Sequence, residues 1–99
     1  MKVEIKVDPE ILAQFCRKHH IRKLSLYGSV LTEDFRPDSD VDVLVEFEPD
    51  QTPGFVGLAR MEMELSEIFK WSVDMRTPQD LSHLFRDEVL ATAEVRYAA

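Results

Sequence analysis

The chain has 99 residues, of which 44% are hydrophobic and 31% are charged, a balance typical of a single globular domain spanning residues 1–99. Its net charge of −7 disfavours direct binding to nucleic acid, because such binding relies on Lys and Arg side chains that neutralise phosphates. No apolar run approaches the roughly 18 residues that span a membrane, and the first residues lack the apolar stretch of a signal peptide, so we expect a cytoplasmic protein with no membrane association.

A first helix is predicted over residues 9–19. Asp8 and the proline after it form an N-cap followed by proline at the first helical position. The apolar residues of this segment fall on one helical face: Ile11, Leu12, Phe15 and Cys16. We interpret Cys16, the only cysteine, as a buried apolar side chain rather than a reactive thiol. His19 and His20 are interpreted as a solvated helix end, since neither a cysteine nor a spaced third ligand accompanies them.

The most informative run follows this helix. It consists of Gly28 and Ser29, ten further residues, and then two acids, Asp40 and Asp42, separated by one valine. The apolar flanks predict a strand before the Gly-Ser turn and a second strand, residues 40–47, that carries both acids. Side chains at i and i+2 of a strand point the same way, so the two carboxylates can share divalent metal. Because Gly28 lets the backbone approach a phosphate and Ser29 offers a hydroxyl and an N–H, the run predicts a nucleotide-phosphate site with metal.

A calcium-binding loop is the main local alternative for these acids. Asp38, Asp40 and Asp42 alternate like the opening of an EF-hand. Position six would then be Val43 instead of glycine, and position twelve would be Pro49 instead of glutamate. The pattern therefore disfavours calcium.

The second half of the chain predicts two more helices and one more strand. An exposed loop over residues 49–54 precedes an amphipathic helix over residues 55–69, and a short strand follows at 72–75. Thr77 has the position of a helix cap, and a last helix is predicted from Leu84 to Tyr97. Its apolar face would consist of Phe85, Val89, Leu90, Ala93 and Tyr97. The predicted fold class is α/β (α+β), with a small mixed sheet of about three or four strands and helices packed against it.

Asp74 lies in the third predicted strand. If that strand lies beside the strand of Asp40 and Asp42, its carboxylate can complete the metal set or accept a proton from an attacking group. We state this placement as a hypothesis.

The run from Leu24 to Phe47 resembles the signature of the DNA polymerase beta-type nucleotidyltransferases. The short chain, together with Asp74 shortly before Thr77 and Pro78, is similar to the minimal nucleotidyltransferases, the antitoxin halves of HEPN/MNT toxin–antitoxin pairs. This resemblance implies a minimal nucleotidyltransferase core, Mg²⁺ as cofactor and ATP as nucleotide donor. It also implies that AMP is transferred to a tyrosine of a cognate HEPN ribonuclease toxin, which is thereby silenced.

Transferred position by position, the resemblance makes Gly28 and Ser29 the nucleotide-phosphate turn. It makes Asp40 and Asp42 metal ligands and Asp74 the third catalytic acid.

The sequence departs from the family pattern in lacking an arginine shortly after the Gly-Ser pair. Many relatives have an arginine shortly after the Gly-Ser pair, where this chain has Thr32, Glu33 and Asp34. Arg36 is our candidate for the missing phosphate contact, although an exposed loop residue would fit the sequence equally well.

Two other functions are compatible with the sequence. The chain could be a catalytically weak antitoxin that neutralises its toxin by direct binding, since an acidic surface suits a basic partner. It could also modify a small molecule, although that usually requires a further domain to shape the acceptor pocket. A homodimer or hetero-oligomer is expected for so small a core. Core packing is expected for Phe55 and Tyr97, whereas Trp71 fits either the core or a partner contact.

Overall fold

The computed structural model describes all residues 1–99 and contains four strands, three α-helices and two short 3-10 helices. In chain order the elements are α1 (Pro9–Lys18), β1 (Ile21–Tyr27), a 3-10 helix (Gly28–Leu31), β2 (Val41–Phe47), α2 (Phe55–Phe69), β3 (Val73–Arg76), a 3-10 helix (Pro78–Asp80), α3 (Arg86–Thr92) and β4 (Glu94–Ala98). No helix combines the length and the apolar content that crossing a membrane requires.

The four strands form one mixed sheet in the order β3-β2-β1-β4. β1 runs antiparallel to both of its neighbours, β2 and β4, while β3 lies parallel to β2. The predicted α+β class with a small mixed sheet is therefore confirmed. β3 and β4 are the two edge strands.

The two faces of the sheet have different chemistry. On one face Leu24 pairs with Val45 and Leu26 with Val43, and these residues join a hydrophobic core with the buried sides of α1 and α2. The helices contribute Leu12, Phe15, Cys16, Met61, Leu65 and Phe69 to this core. Because side chains alternate along a strand, the residues between these core positions, including Asp42, point to the opposite face. The sheet that carries Asp42 is therefore packed against the hydrophobic core on its other face.

The first helix and second strand differ from prediction by one residue. α1 ends at Lys18, where His19 serves as C-cap. β2 begins at Val41, so Asp40 lies just before the strand and is exposed, which corrects the prediction that the strand carries both acids.

The prediction of a last helix from Leu84 to Tyr97 is right for residues 86–92 and wrong for the residues that follow. That segment forms the short helix α3, which has no buried residue, and then the strand β4. The reason lies in the tertiary structure. β1 has a free edge on the side away from β2, and Glu94–Ala98 pairs with that edge because its polar and apolar residues alternate as in a strand. The supposed helical face of the segment therefore does not exist.

Three side-chain predictions have clear outcomes. Cys16 is fully buried, and burial raises the pKa of its thiol to about 12, which confirms the interpretation as an apolar packing residue. Phe55 was expected in the core but is 90% exposed. His19 is not simply solvated, because its ring lies 4.8 Å from that of Phe15 and its Nε2 lies 3.0 Å from a carboxylate oxygen of Glu64.

Candidate functional site

Two acids face each other across neighbouring strands. Asp42 of β2 and Asp74 of β3 are register partners in the parallel pair. Their side chains therefore share the sheet face opposite the hydrophobic core, and both are half-buried. The condition set for Asp74, that its strand lies beside that of Asp42, is met.

The Gly-Ser turn closes directly against this pair. Gly28 has a φ of +77°, in the left-handed region that favours glycine. A Cβ atom at this position would lie 2.5 Å from Oδ2 of Asp42, which is closer than real Cβ contacts allow. The Ser29 carbonyl accepts hydrogen bonds from the N–H and the hydroxyl of Thr32 at 2.9 and 2.8 Å, and these bonds close the short 3-10 helix. The absence of a side chain at Gly28 is thus what lets the turn and the carboxylate meet.

The acids crowd one another electrostatically. Partial burial, followed by the charges of Asp74 and Asp40, raises the pKa of Asp42 to about 6, although Arg76 acts in the opposite direction. Hard carboxylate oxygens that repel each other are a donor set suited to Mg²⁺, because a divalent cation offsets the repulsion. The residues present therefore fit a magnesium site.

Arg76 is a site residue that the sequence analysis missed. It lies two residues after Asp74 on β3, so both side chains occupy one face, and its Nε donates to Oδ2 of Asp74 at 3.3 Å. The charge of Asp74 and this hydrogen bond raise the pKa of Arg76 above its ordinary value. The predicted strand ended at residue 75 whereas β3 runs from Val73 to Arg76, so Arg76 fell one residue outside the prediction.

Tyr27 was also missed as a neighbour of the acids. It is the register partner of Asp42 on β1 and is almost fully buried. Burial, reinforced chiefly by the charge of Asp42, raises the pKa of its phenol to about 12. The phenol therefore stays protonated beside the acids.

Trp71 holds the loop that precedes Asp40. The indole N–H of Trp71 donates to the carbonyl of Ser39 at 2.8 Å, and the Trp71 ring lies 5.1 Å from that of Phe35. Trp71 thus ties the loop before β2 to the start of β3.

No group of three or more His, Cys, Asp or Glu side chains lies close enough together to form a metal-binding cluster, and this includes Asp40, Asp42 and Asp74.

Arg36 is exposed in the loop that precedes Asp40. Its backbone N–H donates to the Ser39 hydroxyl at 3.1 Å, while its guanidinium forms no hydrogen bond or ion pair in the structure. The fold thus brings Gly28, Asp42 and Asp74 together but does not join Arg36 to them.

Comparison with known proteins gives consistent matches. The family model described as "Nucleotidyltransferase domain" matches residues 9–95. The chain is 29% identical over 92 residues to the relative named "Putative protein adenylyltransferase MJ0435" of Methanocaldococcus jannaschii, covering 93% of this chain and 91% of the relative. A solved structure described as a "putative minimal nucleotidyltransferase" is 30% identical with a TM-score of 0.69, covering 86% of this chain and 85% of that one.

Two more distant solved structures share the fold. A toxin–antitoxin with AMP-PNP has a TM-score of 0.72 at 15% identity, covering 94% of this chain and 75% of that one. A structure described as tri-AMPylated Shewanella oneidensis HEPN toxin in complex with MNT antitoxin has a TM-score of 0.65 at 15% identity, covering 92% and 70%. At these identities the likeness is one of architecture.

Proposed function

We propose a function that proceeds from the family, since this chain belongs to the nucleotidyltransferase domain family. In this proposal it is a Mg²⁺-dependent adenylyltransferase that acts as an antitoxin. It transfers AMP from ATP to a tyrosine of a cognate HEPN ribonuclease toxin. The observation that carries the proposal is the pairing of Asp42 with Asp74 directly beside the Gly28 turn. The adenylyltransferase name of one relative, and the AMPylated toxin complex among the structures of similar fold, support it.

In this proposal each acid has a defined place. Asp40, Asp42 and Asp74 would hold Mg²⁺, which supplies positive charge to offset that of the phosphates. Gly28 and Ser29 hold the donor phosphates, because the Gly28 backbone is exposed and carries no side chain, and Ser29 offers both an N–H and a hydroxyl.

The transfer replaces a phosphoanhydride bond of ATP with a phosphoester bond to tyrosine. The tyrosine oxygen forms a bond to the α-phosphorus of ATP, and the bond from that phosphorus to the bridging oxygen of pyrophosphate breaks. The phenolic proton passes to the carboxylate of Asp74, and pyrophosphate leaves with the bonding electrons. Arg36 is retained as a proposed phosphate contact, since its guanidinium has no partner within the chain.

Transfer of labelled AMP from ATP to the purified HEPN protein tests this proposal. We expect Mg²⁺-dependent labelling that Asp40→Asn and Asp42→Asn each abolish, because coordination of the cation is lost. Asp38→Asn is the matched control, since Asp38 is an exposed acid in the same loop and should leave labelling unchanged. No labelling by the wild-type pair at saturating Mg²⁺ and ATP would count against the proposal.

A second candidate is an antitoxin that acts by binding alone. The net charge of −7 favours it, because an acidic surface can cover a basic RNA-binding surface without chemistry. A variant combining Asp40→Asn and Asp42→Asn separates the two. If this variant still forms the complex but no longer protects against the toxin, simple masking is excluded; if protection persists, masking is the function.

A further inference from the structure

Tyr27 is buried, yet it does not belong to the hydrophobic core. Its side chain is only 9% exposed, but it is not a member of the apolar cluster that α1 and α2 form with the sheet. It is the last residue of β1 and lies opposite Asp42 in the register with β2. Because register partners point to the same side of a sheet, the Tyr27 ring lies on the face that carries the acids.

One row of side chains crosses this face of the sheet. Tyr27 on β1 pairs with Asp42 on β2, and Asp42 pairs with Asp74 on β3. Directly opposite residues have Cβ atoms about 5 Å apart, so the phenol ring lies alongside the Asp42 carboxylate. Gly28 follows Tyr27 immediately, and its missing Cβ leaves the space into which Oδ2 of Asp42 extends. The carboxylate therefore lies against two consecutive residues of the chain.

The Tyr27 hydroxyl has no partner within the chain. It takes part in no hydrogen bond, whereas the neighbouring Arg76 donates to Asp74. No polar side-chain atom that is closed off from solvent lacks a partner, so the hydroxyl is the part of this buried residue that reaches the open site. Packing alone does not explain it, because a phenylalanine ring would fill the same space without a polar atom to satisfy.

The charges around this hydroxyl are mostly negative. Burial raises the pKa of the phenol to about 12, and the charges that act on it next are those of Asp42, Arg76, Asp74 and Asp80. A tyrosine is protonated at neutral pH even in water, so its hydroxyl can donate whatever the size of this shift. Three carboxylates against one guanidinium are surroundings that suit a hydrogen-bond donor.

Carboxylates that bind a divalent cation are commonly oriented by a further hydrogen bond from the protein. Such a bond holds the carboxylate in the geometry that the cation requires, and its removal weakens cation binding about 10- to 100-fold. In a ligand-free protein these bonds are often long or misaligned, and they tighten when the ligands bind. An unpartnered phenol beside Asp42 meets this description.

We propose that Tyr27 is a positioning residue, whose hydroxyl donates to a carboxylate oxygen of Asp42 and orients this acid toward a divalent cation. The inference rests on the proposed function and adds to it a residue outside the proposed set of metal ligands and phosphate contacts. Tyr27 acts through Asp42 and contacts neither the nucleotide nor the acceptor.

Binding of Mn²⁺ to the nucleotide-free protein tests this role. Mn²⁺ is the probe in place of Mg²⁺, and the loss of the EPR signal of free Mn²⁺ measures the bound fraction. We expect Tyr27→Phe, which keeps the ring and removes only the hydroxyl, to weaken Mn²⁺ binding about tenfold or more. Unchanged binding overturns the proposal, because a hydroxyl that contacts the nucleotide instead would leave this titration unaffected. Wild-type protein that binds no Mn²⁺ overturns it as well.

Tyr97→Phe is the matched control for this substitution. Tyr97 is the other tyrosine of the chain, and it packs against the hydrophobic core from β4. This variant should bind Mn²⁺ as wild-type protein does. Thermal unfolding of both variants without metal reports whether the fold is kept. Equal losses of Mn²⁺ binding in the two variants would reveal a general structural effect and refute a specific role of Tyr27.

Labelling of the HEPN partner separates this inference from the proposed function. In Tyr27→Phe the Mg²⁺ concentration for half-maximal labelling should rise about tenfold, while the KM for the HEPN partner stays the same. Labelling by wild-type protein together with unaltered Mn²⁺ binding by Tyr27→Phe refutes the positioning role alone. Absence of labelling by wild-type protein refutes the transferase, whereas a loss of Mn²⁺ binding confined to Tyr27→Phe still supports the positioning role.

Discussion

Gly28 has a positive φ, and the space that its side chain would occupy is taken by the Asp42 carboxylate. Both facts give Gly28 a structural reason that adds to the phosphate approach predicted from the sequence. The apolar residues that flank the Gly-Ser turn and the acids were sufficient to predict the two strands. The close approach to Asp42 was not predictable, because it depends on the register between β1 and β2.

Gly28→Ala should therefore destabilise the protein and impair the site. An alanine with left-handed φ costs about 1–2 kcal/mol, and the Cβ contact with Asp42 adds to that. Gly54→Ala is the control, since its Cβ would meet nothing within 4 Å and its φ is −72°. Urea unfolding of both variants checks this, and equal free energies of unfolding would contradict the account.

Asp42→Asn should stabilise the metal-free protein while abolishing transfer. The folded pKa of Asp42 is raised to about 6, above its unfolded value, so its ionisation costs stability as pH rises from about 4 to 6. At pH 7 the asparagine variant escapes that cost. We expect a gain of about 1 kcal/mol, less than the full shift implies because water screens the half-buried group.

Thermal unfolding at pH 7 without metal measures this gain. Added Mg²⁺ and ATP should then raise the Tm of wild-type protein but not that of Asp42→Asn. A less stable Asp42→Asn variant would contradict the cost of burying Asp42 beside the other acids, and equal stabilisation by Mg²⁺ and ATP would contradict metal binding by Asp42.

At the scale of elements, local patterns predicted α1, β1, β2, α2 and β3 but not the end of the chain. Helical spacing of Phe85, Val89 and Tyr97 suggested one helix, yet pairing with β1 makes the five residues of β4 a strand. Such pairing is long-range and leaves no sign in a short window of sequence. Arg76 escaped notice because the predicted strand ended one residue too early, at residue 75.

Trp71→Phe tests how the loop before β2 is held. The substitution keeps an aromatic ring near Phe35 but removes the hydrogen bond to the Ser39 carbonyl. We expect a loss of about 1 kcal/mol in the free energy of unfolding and weaker binding of Mg²⁺ and ATP, because Asp40 follows Ser39 directly. Phe85→Leu, a change at an exposed position, should leave both unchanged. Calorimetry of each variant with Mg²⁺ and ATP provides the measurement, and unaltered binding by Trp71→Phe would show that Asp40 is positioned independently.

At the scale of the whole molecule, the match over residues 9–95 confirms the family resemblance predicted from the Gly-Ser turn and the spaced acids.

The net charge of −7 on a chain of 99 residues predicts electrostatic attraction of a basic partner. Raising the ionic strength from about 0.05 to about 0.5 M should slow association with the HEPN protein about tenfold, since exposed charges are then screened. Stopped-flow kinetics measures the rate, and a salt-independent rate would contradict charge complementarity.

Intact-mass spectrometry of the HEPN partner tests the transferase assignment most directly. After incubation with this protein, Mg²⁺ and ATP, the partner should gain one or more AMP units, mapped to tyrosine, and EDTA or Asp42→Asn should prevent the gain. An unchanged partner mass with wild-type protein and saturating Mg²⁺ and ATP would contradict the assignment.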